Sequence, residues 1–256
     1  MLVDTLRTDI LGVGFDDISA QQAVSQAIVM IREGRKAYIV TPNPEIVWQC
    51  RKDEALRAAV NNAGLVLPDG IGIIIAARIL GAPLHGGRVP GIDFASGIFS
   101  IMAESGGSVY LFGSKPGVAE DAGERLASMY PGLVIAGFAD GYSADNEAII
   151  SKINESNPDL LLVCLGFPKQ EFWMADNIGR LNATLCIGLG GSIDVFAGRV
   201  KRAPAFFRKM GLEWFYRLIR EPWRIKRMIK LPLFVFVTLF ARMRRRPGRK
   251  GDTSGV

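Results

Sequence analysis

The sequence predicts an α/β protein, a mostly parallel sheet with helices on both faces. Three observations carry this. Short apolar runs alternate with helix-period segments along most of the chain. The chain has 256 residues, 49% hydrophobic and 22% charged, which is enough apolar material for a packed core and excludes general disorder. No fixed-period repeat is present, which excludes a solenoid.

Taken in order, Ile10–Phe15 reads as a strand and Ser19–Arg32 as an amphipathic helix, capped by Asp17 or Ser19 and stopped at Gly34. Ala37–Thr41 is a second strand, followed by a helix from Pro44 to about Asn62. Leu65–Leu67 is a short strand, and Gly70–Leu80 and Ile92–Glu104 read as helices. Ser108–Phe112, Leu133–Phe138, Leu160–Leu165 and Thr184–Gly188 are strands, separated by helical patterns at 117–130, 143–154 and 169–181. The domain reading is an α/β body at 1–198, a basic helical appendage at 199–248 and a disordered tail at 249–256.

Composition narrows the chemistry. Cys50, Cys164 and Cys186 are odd in number and lack C-x-x-C spacing, which argues against a disulfide scaffold or a cysteine zinc site. His85 is the only histidine, so a multi-histidine metal site is excluded, and its glycine neighbours make it a loop residue. The opening Met1–Arg7 has no charged region followed by an apolar stretch, which predicts a cytoplasmic location without a signal peptide.

Charge is strongly partitioned. Residues 1–198 carry 14 Lys and Arg against 22 Asp and Glu, a balance of −8. Residues 199–250 carry 17 against only Glu213 and Glu221, a balance of +15. Within this basic block, Leu231–Ala241 is an apolar, phenylalanine-rich run flanked by Arg and Lys on both sides. A span needs about 20 apolar residues, so the run is too short to cross a bilayer. Its pattern suits a helix lying in the headgroup region of an anionic membrane, against the plainer reading of a core helix with a basic tail. Nucleic acid is disfavoured, because few aromatics interleave with the terminal arginines.

Parallel sheets place ligand sites at the carboxyl ends of their strands. The residues there are 41–45 (TPNPE), 68–70 (PDG), 113–117 (GSKPG), 138–142 (FADGY), 166–171 (GFPKQE) and 188–194 (GLGGSID). Gly113–Gly117 and Gly188–Ser192 are glycine-rich turns into helices, of the kind that brings backbone N–H groups to a diphosphate, although glycines mark such turns in any α/β protein. Gly12 and Gly14 lack the third glycine of a dinucleotide fingerprint, and no P-loop occurs. No D-x-D spacing occurs, so arginines would have to offset phosphate charge. Asp69 is the carboxylate best placed to act as a base and reads equally as a helix N-cap. Thr41 and Asn43 read as substrate ligands or caps, Gln170 as a sugar-hydroxyl ligand, and Asp140 or Asp194 as ribose or base contacts.

Seven segments in order make a larger pattern: 41–45 (TPNPE), 67–72 (LPDGIG), 88–93 (RVPGID), 166–171 (GFPKQE), 190–198 (GGSIDVFAG), 211–217 (GLEWFYR) and 221–224 (EPWR). Over about residues 8–230 the chain closely resembles the WecG/TagA/CpsF glycosyltransferase family. The resemblance implies a Rossmann-like, inverting enzyme that needs neither metal nor cofactor. It would move a sugar from a UDP-sugar to a polyprenyl-diphosphate-linked saccharide at the cytoplasmic membrane. It implies Asp69 as general base, with Thr41, Asn43, Arg88 and Gln170 lining the pocket. Arg217, Arg224 and Arg227 would close over the site and neutralise UDP, and Tyr142, Asp194, Gly113 and Gly191 would fall near the nucleotide. Gly87 stands where many relatives carry an acidic residue before the arginine, which leaves the sugar specificity open. Other readings are a UDP-sugar oxidoreductase or epimerase, lacking its fingerprint here, and a membrane-surface scaffold. Self-association through an exposed apolar face also stays open.

Overall fold

The structure is a computed structural model that describes residues 7–220 and 230–244. Its centre is a six-stranded sheet in the order β4-β3-β8-β7-β5-β6, parallel at every pairing. The strands are β3 (Ala37–Val40), β4 (Leu65–Val66), β5 (Ser108–Gly113), β6 (Val134–Ala139), β7 (Leu160–Cys164) and β8 (Leu185–Gly188). Side chains alternate across the sheet. Leu160, Leu162 and Cys164 enter one core, with α1 (Ala20–Arg32), α5 (Gly91–Ser105), α6 (Val118–Met129) and α9 (Ser192–Phe196). Leu161 and Val163 enter the other, with α2 (Pro44–Cys50), α3 (Glu54–Asn61), α4 (Ile71–Leu80), α7 (Asn146–Ser156) and α8 (Lys169–Asn177). The continuous apolar runs seen in the sequence are what burial on both faces requires.

Two expected elements are corrected. Ile10–Phe15 is not one strand but the centre of an antiparallel hairpin, β1 (Arg7–Ile10) and β2 (Val13–Asp16), outside the main sheet. Leu11 and Gly12 both take positive φ, 55° and 93°, the geometry that a two-residue hairpin turn needs. Gly12 therefore sits in a β–β turn and not at a strand–helix phosphate turn. The expected helix from Pro44 to Asn62 is two helices, because Asp53 caps a new start by accepting from the Leu56 N–H at 2.9 Å. Ser19, not Asp17, caps α1, through a reciprocal box with Gln22.

The appendage begins with α10 (Ala205–Lys209) and α11 (Glu213–Arg220) and, after the undescribed residues 221–229, ends with α12 (Lys230–Arg244). The plain core-helix reading holds for one face of α12. Phe234 and Thr238 are fully buried on that face, Phe234 joins the core that contains α2 and α4, and Arg242 donates to the Ile79 carbonyl at 2.7 Å in the last turn of α4. The opposite face leaves Leu233, Phe236, Leu239, Phe240 and Met243 exposed. No helix among the described residues is long and apolar enough to cross a membrane.

Candidate active site

The site forms because adjacent strands release their chains to opposite faces. After β3 the chain enters α2 on one face, and after β8 it enters α9 on the other, which opens a crevice at the carboxyl ends. Two backbone hydrogen bonds and one close packing contact then pull the surrounding loops together. The Asp69 N–H donates to the Pro42 carbonyl at 3.2 Å, and the Val89 N–H to the Pro68 carbonyl at 2.8 Å. Gly91 packs so close to Thr41 that a Cβ there would lie 3.2 Å from its Oγ1. Thr41, Asn43, Asp69 and Arg88, scattered over 48 residues of sequence, are thereby brought to one mouth.

Local geometry assigns several side chains. Asn43 caps α2, its Oδ1 accepting from the Glu45 and Ile46 N–H groups at 2.9 and 3.1 Å. Any contact it makes with substrate therefore falls to its Nδ2. Asp69 does not cap α4: the cap position is Gly70, and no side chain fills that role. Gly70 has φ 89° and ψ 148°, a conformation open essentially only to glycine, and this turns the chain directly after Asp69. His85 is exposed and paired with Asp17 at 3.1 Å on the loop that leads to Arg88, as the sequence reading of a loop residue requires.

The residues expected near a nucleotide form a neighbouring group. Ser114 Oγ donates to Asp194 Oδ1 at 3.0 Å, and the Gly141 N–H donates to the Ser114 carbonyl at 2.9 Å. Gly113, Tyr142, Gly191 and Asp194 therefore surround the ends of β5, β6 and β8. Tyr142 is 69% exposed and so available to a ligand. Asp140 is used locally, accepting from the Tyr142 N–H at 2.8 Å. A Cβ at Gly113, φ 134°, would run into the Cys164 backbone, which accounts for glycine there without any ligand.

Gln170 is deeper than the sequence suggested, only 4% exposed. Its Oε1 accepts from the Gly190 N–H at 2.8 Å, and its Nε2 donates to Glu171 Oε1 at 3.0 Å. It braces the glycine turn after β8. Glu171 is 2% exposed, and burial pushes its carboxyl above the usual carboxylate range. The native state holds this proton more tightly than the unfolded chain, so stability is lost as pH rises through the raised value. Glu171→Gln keeps the acceptor for Gln170 and removes the charge. Thermal unfolding should show a higher Tm for the variant at pH 8, by roughly 2–4 °C per kcal/mol recovered, with the two proteins converging at pH 4.

The appendage touches the loops of this mouth. Arg88 Nη2 donates to the Arg208 carbonyl, and Gly211 is in contact with Ile71, two residues beyond Asp69. Arg202 grips Asp93 in the first turn of α5, and Arg202, Arg208 and Arg88 together hold the Asp93 carboxyl below the usual range. The Nε donors of Arg202 and Arg208 are buried with no acceptor among the described residues, and such donors suit phosphate oxygens. Arg217 lies on α11, whereas Arg224 and Arg227 fall outside the described residues. Arg202, Asp93 and Glu171 were not singled out from sequence. Their one signal was position, Asp93 and Glu171 closing two of the seven segments and Arg202 falling near the start of the basic block. Among the described residues no cluster of three His, Cys, Asp or Glu side chains is arranged to hold a metal.

The chain matches the model of the Glycosyl transferase WecG/TagA/CpsF family over residues 8–248. It belongs to that family. Its relatives include the N-acetylglucosaminyldiphosphoundecaprenol N-acetyl-beta-D-mannosaminyltransferases of Bacillus spizizenii, 37% identical across 81% of this chain and 80% of the relative, and of Bacillus subtilis, 37% identical across 79% of each. The Staphylococcus aureus enzyme of the same name is 34% identical across 91% of this chain and 92% of its own. The WecG/TagA/CpsF assignment makes the chain a glycosyltransferase. The matched residues extend through both the body and the described appendage helices.

Proposed function

We propose that this glycosyltransferase moves a hexose, N-acetylhexosamine or uronic acid from a UDP-sugar to a polyprenyl-diphosphate-linked saccharide in surface-polysaccharide synthesis. The reaction is an inverting single displacement. The acceptor hydroxyl attacks the anomeric carbon, its proton passes to Asp69, and the bond from that carbon to the UDP oxygen breaks. Arg88 and the appendage arginines offset the charge of the leaving UDP. The group at the ends of β5, β6 and β8 takes the nucleotide, and no metal takes part. The observation that carries this reading is the convergence of Thr41, Asn43, Asp69 and Arg88 at one mouth beneath a basic appendage. The names of the relatives make N-acetylmannosamine the donor sugar to try first and GlcNAc-diphosphoundecaprenol the first acceptor.

The place of action we propose is the cytoplasmic face of the plasma membrane, bound peripherally. The exposed row Leu233, Phe236, Leu239, Phe240 and Met243, with Arg242 and Arg244 beside it, supports this. The test is UDP release by the full-length protein with a panel of UDP-sugars, a short-chain polyprenyl-diphosphate-GlcNAc acceptor and EDTA, with and without anionic vesicles. Acceptor-dependent release with one donor, undiminished by EDTA and raised by vesicles, is expected. Failure of every UDP-sugar to bind would overturn the donor assignment, and EDTA sensitivity the metal-free reaction.

A further inference from the structure

Gln170 and Glu171 stand side by side in the first turn of α8, and both side chains are buried. The direction in which the Gln170 amide points is settled by its partners. The Gly190 N–H can only donate, so the amide atom that meets it at 2.8 Å is the oxygen, Oε1. Nε2 must then face an acceptor, and Glu171 Oε1 takes it at 3.0 Å. Gly188 leaves room for this arrangement, since a Cβ there would lie 2.6 Å from Met174 Cε and 3.1 Å from Gln170 Nε2. The other carboxyl oxygen, Glu171 Oε2, is buried with no hydrogen-bond partner among the described residues. Burial favours the neutral acid, and a proton on Oε2 leaves Oε1 the carbonyl acceptor that Nε2 needs.

The turn held in this way borders both halves of the site. The Leu189 N–H donates to the Val163 carbonyl at 3.1 Å, the Ser192 N–H to the Leu189 carbonyl at 3.2 Å, and the Gly190 N–H to Gln170. These three donors therefore serve the shape of the turn rather than a ligand. On one side Leu189 packs on Gly91, where a Cβ would lie 2.4 Å from Leu189 Cδ2 and 3.2 Å from Thr41 Oγ1. On the other side the turn runs through Gly191 into α9, where Asp194 accepts from Ser114 Oγ at 3.0 Å. A displaced turn would disturb Thr41 and the nucleotide group together.

We propose that Glu171 is a positioning residue for the UDP-sugar: by accepting from Nε2 it keeps the Gln170 oxygen on Gly190, and so holds the turn between Thr41 and Asp194 in the shape that binds the donor. This rests on the reading of the chain as a UDP-sugar transferase. Without that acceptor the buried Nε2 has no partner there, which favours rotation of the amide, and a rotated amide sets its NH2 against the Gly190 N–H.

The experiment compares full-length wild type, Glu171→Gln, Glu171→Met, Gln170→Leu and the double variant Gln170→Leu/Glu171→Met. The readouts are kcat and the KM for the UDP-sugar in acceptor-dependent UDP release, and the Tm with and without UDP. Glu171→Met should raise KM on the order of tenfold, change kcat less, and shrink the UDP-induced shift in Tm. Glu171→Gln presents the same acceptor and should recover most of that loss. Because Glu171 acts through Gln170, adding Glu171→Met to Gln170→Leu should raise KM by less than about twofold more. If Glu171→Met does not fold, Glu171→Asp, which draws the carboxylate back by one methylene, takes its place with the same expectation. An unchanged KM in the Met or Asp variant, an equal rise in Glu171→Gln, or full additivity with Gln170→Leu would overturn the proposal and leave Glu171 a core residue. A wild-type protein whose Tm is unmoved by UDP and that releases UDP from no UDP-sugar would instead overturn the donor reading, and the proposal with it.

Discussion

Asp69→Asn should lose transfer activity by about 10²–10⁴-fold, the usual contribution of a general base, while the protein folds and binds UDP as before. The reason is local. Asparagine keeps the size of the side chain and the backbone N–H that bonds the Pro42 carbonyl, so the link between the two loops survives. The carboxylate's charge and its capacity to take a proton are lost. Asp69 does not cap α4, so the variant forfeits no capping energy there, in contrast to Asn43→Ala, which should cost about 1 kcal/mol of stability. Acceptor-dependent UDP release gives the first quantity, and the UDP-induced shift in Tm the second. Activity within tenfold of wild type would remove Asp69 from the chemistry.

Deleting residues 200–256 should leave a folded body with transfer reduced by more than about 10²-fold. The sheet and both of its flanking cores lie almost wholly before residue 200, so the fold survives. The site does not, because Arg88 loses its contact with the Arg208 carbonyl and Asp93 its pairing with Arg202. The deletion also uncovers the surface beneath Phe234 and Thr238, both fully buried in the intact chain. The truncated body should therefore self-associate, since an uncovered apolar patch seeks another surface. Light scattering after size exclusion and UDP release would test both expectations. A fully active truncation would reduce the appendage to a membrane anchor.

These two variants mark what was legible beforehand. The inner strands were readable because they are buried on both faces and so appear as unbroken apolar runs, as at Leu160–Cys164. The hairpin at Arg7–Asp16 was not, because its turn, Leu11–Gly12, places an ordinary leucine at positive φ. The break at Asp53 was missed because helix periodicity continues on either side of a short interruption. Gln170 was legible as a strand-end residue, but its burial against Gly190 and Glu171 was not. For the apolar run at Leu231–Ala241, both readings had merit. One face packs on the body and the other faces outward, and composition does not separate two faces of one helix.

Sequence alone thus determined the alternation of elements, the acidic body and basic appendage, and the loops that carry Thr41, Asn43, Asp69 and Arg88. Those follow from burial periodicity, charge count and order along the chain, which are local properties. Only the tertiary structure decided that Asp69 does not cap α4, that Gln170 is a brace, and that Arg202 pairs with Asp93 beside Glu213. Those depend on distances between residues far apart in the chain, and electrostatic coupling falls with distance in space rather than with separation in sequence.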